Sequence, residues 1–358
     1  MPSSRKRTAI VKAAPEQESS LARTKRVTIV DVAKQAGVSL GTVSRVINEK
    51  QSVAPELRER VLEVAQALGY VPNSIAQSMR THSTKAVGVM VSDISNPLFS
   101  ATISAAEEVL YRHGFSMILS NSRDRLTTES EILTLFQRRR FDGLLITLSK
   151  EENPNILRLL SNSPIPTVLL ERDCSLPLDA VAADHYGAAM QAINYLLKLG
   201  HQRIGLVTVT SAALPGRARR QAYLDAHKQA GIPVDEALIS SDGFLPDAGY
   251  QAAYRMLVSS DPPTAMVAGA NQLPQVLKVV RMLKLEIPRQ LSIISLGDTD
   301  VACLFEPSIT AVRWELAKVG ASAAELLLSR MNKRVSVREP QRIVIPTELL
   351  LRDSCAQR

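Results

Sequence analysis

The alternation of apolar and polar positions along this chain changes character at three places. Residues 1–26 carry Ser, Lys, Arg and Ala without a sustained period and read as a basic, disordered arm. Residues 27–72 show three short helical patterns. The first opens at Thr28 with Asp31 three positions on, a T-x-x-D capping pattern. It places Ile29, Val32, Ala33 and Ala36 on one face and stops at Gly37. In the second, Val38 and Val43 flank a Ser39 N-cap, and Val43, Val46 and Ile47 form the inner face. The third starts with Pro55, repeats Leu57, Val61, Val64, Ala65 and Leu68, and stops at Gly69. The order helix, tight glycine turn, helix, helix predicts a small all-α domain.

After Pro72 one further pattern, Asn73 to Arg80 with Ile75, Ala76 and Met79 on one side, predicts a hinge helix of about two turns, too short to be stable alone in water. Thr81 to Thr84 form a polar connector. From residue 86 short β-rich runs alternate with amphipathic stretches: AVGVMV, 97–112, SMILS, 127–139, DGLLIT, 153–160 and PTVLL. A second series follows: RIGLVTV, 217–230, ALIS, 247–258, TAMVAG, 273–284 and LSIISL. Repeated strand and helix predicts parallel sheets covered on both faces, here as two doubly wound α/β lobes. ITAVR, a helix over 315–331 and RIVIP could then pass back between the lobes. The expected organisation is an arm at 1–26, a helix-turn-helix headpiece at 27–72, a hinge and connector at 73–84, a two-lobed domain at 85–352 and a tail at 353–358.

Charge sharpens this division. Residues 1–85 hold 14 Lys and Arg against 7 Asp and Glu, and residues 86–358 hold 29 against 28. A basic segment on a neutral body points to a polyanion-binding module joined to a domain with another task. No apolar run is long enough to span a membrane, and the N-terminal stretch lacks a signal-peptide core, so a cytoplasmic location is expected. Cys174, Cys303 and Cys355 are far apart with no CxxC, against a disulfide framework or a zinc site. The five histidines have no i, i+4 pairing, so no metal and no cofactor are expected. G-x-S-x-G, phosphate-loop, G-x-G-x-x-G and H-E-x-x-H motifs are absent, and no catalytic residue is assigned.

Residues 27–80, VTIVDVAKQAGVSLGTVSRVINEK through PNSIAQSMR, resemble the DNA-binding headpiece and hinge of the lactose/galactose repressor (LacI/GalR) family. The resemblance continues through VGVMVSDISNPLFS, FDGLLIT, DHYGA at 184–188, LGHQRIGLV and IPRQLSIISLGD. It implies a dimeric transcriptional regulator, most simply a repressor of carbohydrate or sugar-acid catabolic genes, whose two lobes resemble periplasmic binding proteins. Its affinity for operator DNA would depend on a small effector: a sugar, sugar acid or phosphorylated sugar. Two rival classes are a sugar-binding transport component, which calls for an export signal, and a sugar-modifying enzyme, which calls for turnover.

The headpiece chemistry can be argued from its residues. A helix presented by a glycine turn suits the major groove, with hydroxyls from Thr28, Ser39, Thr42 and Ser44 on phosphates, and Arg45 positioned to take a guanine bidentately. By family correspondence Leu40 and Gly41 occupy base-reading positions, where Leu40 offers only apolar contact and Gly41 no side chain. Asn48 is a phosphate candidate. Met79 stands where the family wedges a leucine into the minor groove, with Asn73 and Ala76 beside it.

In the two-lobed domain a ligand is expected at the carboxyl ends of the strands. Strand position places Asp93, Asn96, Asn121, Thr147, Glu171 and Arg172 there, with Phe99 as an apolar wall. Arg219 matches the arginine of the family's R-x-x-G-aromatic pattern, with Ala222 in place of the glycine, and can clamp hydroxyls, a carboxylate or a phosphate. The alternative for Arg219 is a solvated charge in the run Arg217, Arg219, Arg220. The chain departs from the family where an Asn-Asp pair is usual, having Gly269 and Ala270 followed by Asn271. It departs again where Gly-aromatic-Asp is usual, having Ser295, Leu296 and Gly297. Asp298 is the candidate substitute for the missing aspartate, and fewer carboxylates favour an anionic ligand.

Overall fold

The computed structural model describes residues 27–47, 53–71, 83–241, 246–332 and 339–358. The expected arm, Asn48 and the hinge positions Asn73, Ala76 and Met79 lie outside the described residues. The chain divides into two compact units, Met1–Gln77 and Ser78–Arg358.

The first unit contains α1 (Ile29–Ala36), α2 (Leu40–Ile47) and α3 (Pro55–Ala67). Thr28 N–H donates to the Asp31 carboxylate at 2.8 Å, which satisfies one of the amides that a helix start leaves unpaired. Gly37 ends α1 at φ +67°, and the Val38 N–H reaches back to the Ala33 carbonyl at 3.0 Å. Only a residue without a Cβ takes that left-handed turn without strain. Ser39 Oγ then accepts from the Thr42 N–H at 3.1 Å and starts α2. Val32, Ala33, Ala36, Val43, Val46, Val61 and Ala65 bury together as the core.

The second unit holds two six-stranded sheets. The first lobe runs β1 (Ala86–Val91), α4 (Pro97–Arg112), β2 (Ser116–Asn121), α5 (Leu126–Arg138), β3 (Gly143–Ile146), α6 (Pro154–Ser161), β4 (Thr167–Leu170) and β5 (Asp179–Ala183). The second runs α7 (His185–Lys198), β6 (Ile204–Val207), α8 (Leu214–Ala230), β7 (Ile239–Ser240), α9 (Pro246–Leu257), β8 (Ala265–Gly269), α10 (Leu273–Met282), β9 (Ser292–Leu296), α11 (Asp300–Leu304) and β10 (Thr310–Arg313). The chain then returns with α12 (Leu316–Met331) and β11 (Arg342–Ile345), and ends on β12 (Glu348–Leu350).

Strand order is β11-β5-β4-β3-β1-β2 in the first sheet and β12-β10-β9-β8-β6-β7 in the second. All pairings are parallel except β10 with β12. The chain therefore crosses between lobes three times, after β5, β10 and β11, each time from a strand at or next to the same edge of its sheet. The central strands are buried along their whole length, as continuous apolar runs require when helices cover both faces. α4 and α12 pack so closely that a Cβ on Gly320 would collide with the Thr102 carbonyl.

Two expectations are corrected here. β5 and α7, which the apolar pattern does not mark, are present, and β5 is the strand that sends the chain across the first time. Residues 353–358 are not a tail. Ser354 is fully buried and donates from Oγ to the Ile293 carbonyl at 2.6 Å, and the Arg358 N–H donates to the Leu199 carbonyl at 2.8 Å. His201 meets the Ala356 carbonyl through Nε2 at 3.1 Å. The segment packs because its groups find partners at the start of β9, on Ser292 and Ile293, and on Leu199 just after α7.

Candidate functional site

On α2 the apolar face is turned into the core, and the opposite side carries Ser39, Leu40, Gly41 and Arg45 exposed, with Thr42 and Ser44 half-buried. Leu40 is 49% exposed and so free to make an apolar contact outside the unit. The hydroxyls of Ser39 and Thr42 lie 3.0 Å apart, and Arg45 Nε donates to the Gly41 carbonyl at 3.1 Å. That bond lays the exposed arginine along the helix toward its start. A Cβ on Gly41 would meet only Ser39 Oγ at an ordinary 3.7 Å. Nothing inside the unit requires glycine there, although glycine costs about 1 kcal/mol of helix propensity. Thr28 is exposed and its hydroxyl donates to Asp31 at 2.7 Å.

In the second unit the carboxyl ends of both sheets face a cavity of about 70 Å³, room for about five water-sized groups. The first lobe contributes Ser92 and Asp93 after β1, Asn96, Leu98, Phe99 and Thr102 from the start of α4, and Glu171 with Arg172 after β4. Its polar groups already have work. Asp93 accepts from the Ser95 N–H and hydroxyl at 2.9 and 2.6 Å, and Asn96 caps α4 by accepting from the Leu98 N–H at 3.1 Å. Arg172 donates to the Leu148 and Glu171 carbonyls at 2.6 and 2.9 Å.

The second lobe and the second crossing contribute His185, Val209, Pro215, Arg219, Ala270, Asn271, Gln272, Trp314 and Leu316. Arg219 is 5% exposed; Nη1 donates to Thr208 Oγ1 at 3.3 Å and Nη2 faces His185 Nδ1 at 3.5 Å. Among the described residues no carboxylate forms an ion pair with it, and Nε has no partner. Burial pulls its pKa down to about 10, still far above neutrality, so the cation persists. Gly269 makes room for it: a Cβ there would press on Arg219 Nη1 at 3.2 Å and collide with Gln272.

His185 Nε2 meets Glu171 Oε2 at 2.6 Å, across the lobes. Burial opposes a charged imidazole and lowers its pKa, while Glu171 pulls the other way. Burial also opposes ionisation of Glu171, but His185, the Ala183 N–H and Arg172 outweigh it and hold the carboxyl below its usual range. A neutral ring with its proton on Nε2 satisfies both neighbours: it donates to Glu171 and offers the Nδ1 lone pair to Arg219. The ring also stands edge-on to Trp314, centroids 5.7 Å apart.

Of the sequence-derived candidates, Asp93, Asn96, Phe99, Glu171, Arg172, Arg219 and Asn271 come together at this cavity. Three do not. Asn121 accepts from the Arg123 N–H at 3.2 Å in a loop, and Thr147 is buried with its N–H on the Met90 carbonyl at 2.8 Å. Asp298, the candidate for the missing aspartate, is not among the cavity's lining residues and pairs instead with Arg352 at 2.8 and 2.9 Å, beyond a turn at Gly297 with φ +134°. His185, Gln272 and Trp314 line the cavity without having been singled out as ligand contacts. The signal was available in DHYGA and in the single tryptophan at a crossing between lobes.

Comparison with known proteins agrees with both halves. Residues 28–73 match the family of bacterial regulatory proteins, lacI family, and residues 193–355 match a periplasmic binding protein-like domain. The HTH-type transcriptional repressor PurR of Yersinia pestis (strain Pestoides F) is 32% identical over 333 residues, 92% of this chain and 97% of the relative. The chain belongs to the LacI family. PurR of Haemophilus influenzae (strain PittEE) is 29% identical over 91% of this chain and 98% of its own length. Among solved structures, the CelR regulator in complex with cellobiose superposes with a TM-score of 0.70 at 28% identity, over 92% of this chain and all of that one. The Lac repressor dimer bound to operator and the anti-inducer ONPF gives 0.81 at 22% identity, over 93% and 100%, a likeness of fold. As a LacI-family protein this chain is a DNA-binding transcriptional repressor with an effector-binding domain. No described helix is long and apolar enough to cross a membrane.

Proposed function

We propose that this LacI-family repressor answers to a small anionic effector, a sugar acid or a phosphorylated sugar, bound in the cavity around Arg219. One observation carries the reading. The buried side-chain atoms lining the cavity that lack a partner are Arg219 Nε, Gln272 Nε2 and Trp314 Nε1, and all three are N–H donors. Unpaired buried donors are costly, about 1–3 kcal/mol each, and an acceptor-rich ligand removes that cost. A carboxylate or phosphate does so best beside a buried guanidinium. Phe99, Leu98 and Val209 supply apolar walls for the carbon frame.

On the DNA side, Arg45 and Leu40 read base edges, Gly41 admits the backbone close to the groove, and Thr28, Ser39, Thr42, Ser44 and Asn48 hold phosphates. Met79, with Asn73 and Ala76 beside it, serves as the wedge in the minor groove. Lobe closure around the effector then shifts operator affinity by linkage. The protein works as a homodimer on a near-palindromic site; the edge strand β2, with Ile118 and Leu119 exposed, is one surface suited to a second copy.

The test is a thermal-shift screen of sugar acids, sugar phosphates, neutral sugars and, because the relatives are PurR repressors, nucleobases. A ligand at a hundred times its Kd adds about 2.7 kcal/mol. An anion that stabilises the wild type and changes its operator gel-shift supports the proposal. Stabilisation by neutral sugars or nucleobases and by no anion overturns it.

A further inference from the structure

The corner of the second unit where the connector enters is unusually basic. α5 ends at Arg138 and is followed by Arg139 and Arg140, all three exposed, with Arg140 at φ +54° where the chain turns away from the helix. One cation satisfies the partial negative charge of a helix end. Three in succession repel one another, and among the described residues none of the three guanidinium groups has a carboxylate in ion-pair distance. The carboxylate next in the sequence, Asp142, is committed elsewhere. It accepts from Ser83 Oγ and the Lys85 N–H at 2.7 Å each, and from the Thr84 N–H at 3.2 Å. Thr84 Oγ1 donates to the Arg140 carbonyl at 3.0 Å. The arginine run and the incoming connector are thus fastened to one corner, with Lys85 adding a further cation over the Phe115 ring at 4.2 Å.

We propose that Arg138, Arg139 and Arg140 form a second DNA-contacting surface, which grips the phosphate backbone of duplex outside the site that α2 reads. The chain that carries the DNA-binding unit enters here, with eleven residues between Val71 and Ser83. Guanidinium groups match phosphates bidentately, and an exposed, unpaired row of them fits a regularly spaced row of anions better than any single acidic side chain. The contact positions the protein and carries no sequence information, because no packing fixes these side chains against a base edge.

The inference rests on operator binding by the first unit, and the experiment separates the two. An operator is first selected from a random duplex library with the wild-type protein; failure to enrich any sequence would sink the DNA-binding reading itself. The full-length variant combining Arg138→Gln, Arg139→Gln and Arg140→Gln is then compared with wild type on that operator, once with long flanks and once trimmed to the recognition site. On the long duplex the plot of log affinity against log salt is expected to flatten by two to three units, roughly 0.9 for each phosphate no longer neutralised. On the trimmed duplex the two proteins are expected to coincide, and Arg→Lys at the same three positions is expected to restore most of the slope. Parallel salt plots on the long duplex, or an equal loss on both duplexes, would overturn the proposal. The second outcome would place the arginines' effect within the read site or on the DNA-binding unit.

Discussion

The two walls of the cavity proposed for the effector differ in how far they are finished. On the first-lobe side Asp93, Asn96 and Arg172 are bonded to their own backbone neighbourhood. On the other side Arg219, Gln272 and Trp314 hold out donors with nothing to receive them. A wall whose polar groups serve the fold gives a ligand shape and little else. The wall with unpaired donors gives it binding energy. Between them His185 stands in contact with both Glu171 of the first lobe and Arg219 of the second, at 2.6 and 3.5 Å.

Four substitutions probe this contrast. Arg219→Ala has the largest expected effect, a loss of about 4 kcal/mol or roughly a thousandfold in effector affinity, read by calorimetry, with operator binding of the effector-free protein retained. Next is Glu151→Ala. This carboxylate is buried; it accepts from the Leu214 N–H at 2.7 Å and the Asp173 N–H at 3.1 Å and pairs with Arg217 at 2.8 Å, so it ties a first-lobe loop to the start of α8. Its removal is expected to lower unfolding stability by about 2–3 kcal/mol in denaturant titration, before any ligand is added.

Asp124→Asn acts in the opposite direction. Burial pushes the Asp124 carboxyl up from 3.8 to about 7, against the attraction of Arg172 and with the help of Glu129 and Asp93. The folded protein therefore keeps a proton that the unfolded chain loses near pH 4. Stability from this group is complete below pH 4 and is lost as pH rises toward 7. The asparagine variant is expected to melt higher than wild type above pH 7 and to show a flatter Tm profile between pH 4 and 7; identical profiles would refute the assignment. Asn96→Ala has the smallest expected effect, about 1 kcal/mol of stability from a missing helix cap. Because Asn96 serves α4, effector affinity is expected to stay within twofold, and a large loss would show that the first-lobe wall grips the ligand after all.

What could be read in advance follows the range of the interactions. The first unit was legible because its signals are local: Gly37 must turn left-handed, Ser39 must cap, and the apolar face repeats within eight residues. β5 was not, because Asp179–Ala183 is mostly alanine, a weak strand former. Its place is secured by parallel pairing to β4 and β11 and by Arg330, which clamps Asp179 from 151 positions away. Asp298 was misplaced for the same reason, since its partner Arg352 is 54 residues on. Gly269 could be seen as a departure from the family, but that its missing Cβ makes space for the Arg219 guanidinium depends on how β8 and α8 lie together.

The three crossings between the lobes have a mechanical consequence. They run side by side, from β5 and β11 in one sheet and β10 beside β12 in the other. Two bodies strapped together along one border can bend about that border but resist twisting and sliding. Motion between them is thereby reduced to nearly a single angle, and a molecule only a few atoms across, seated away from the pivot, gains leverage over the whole body.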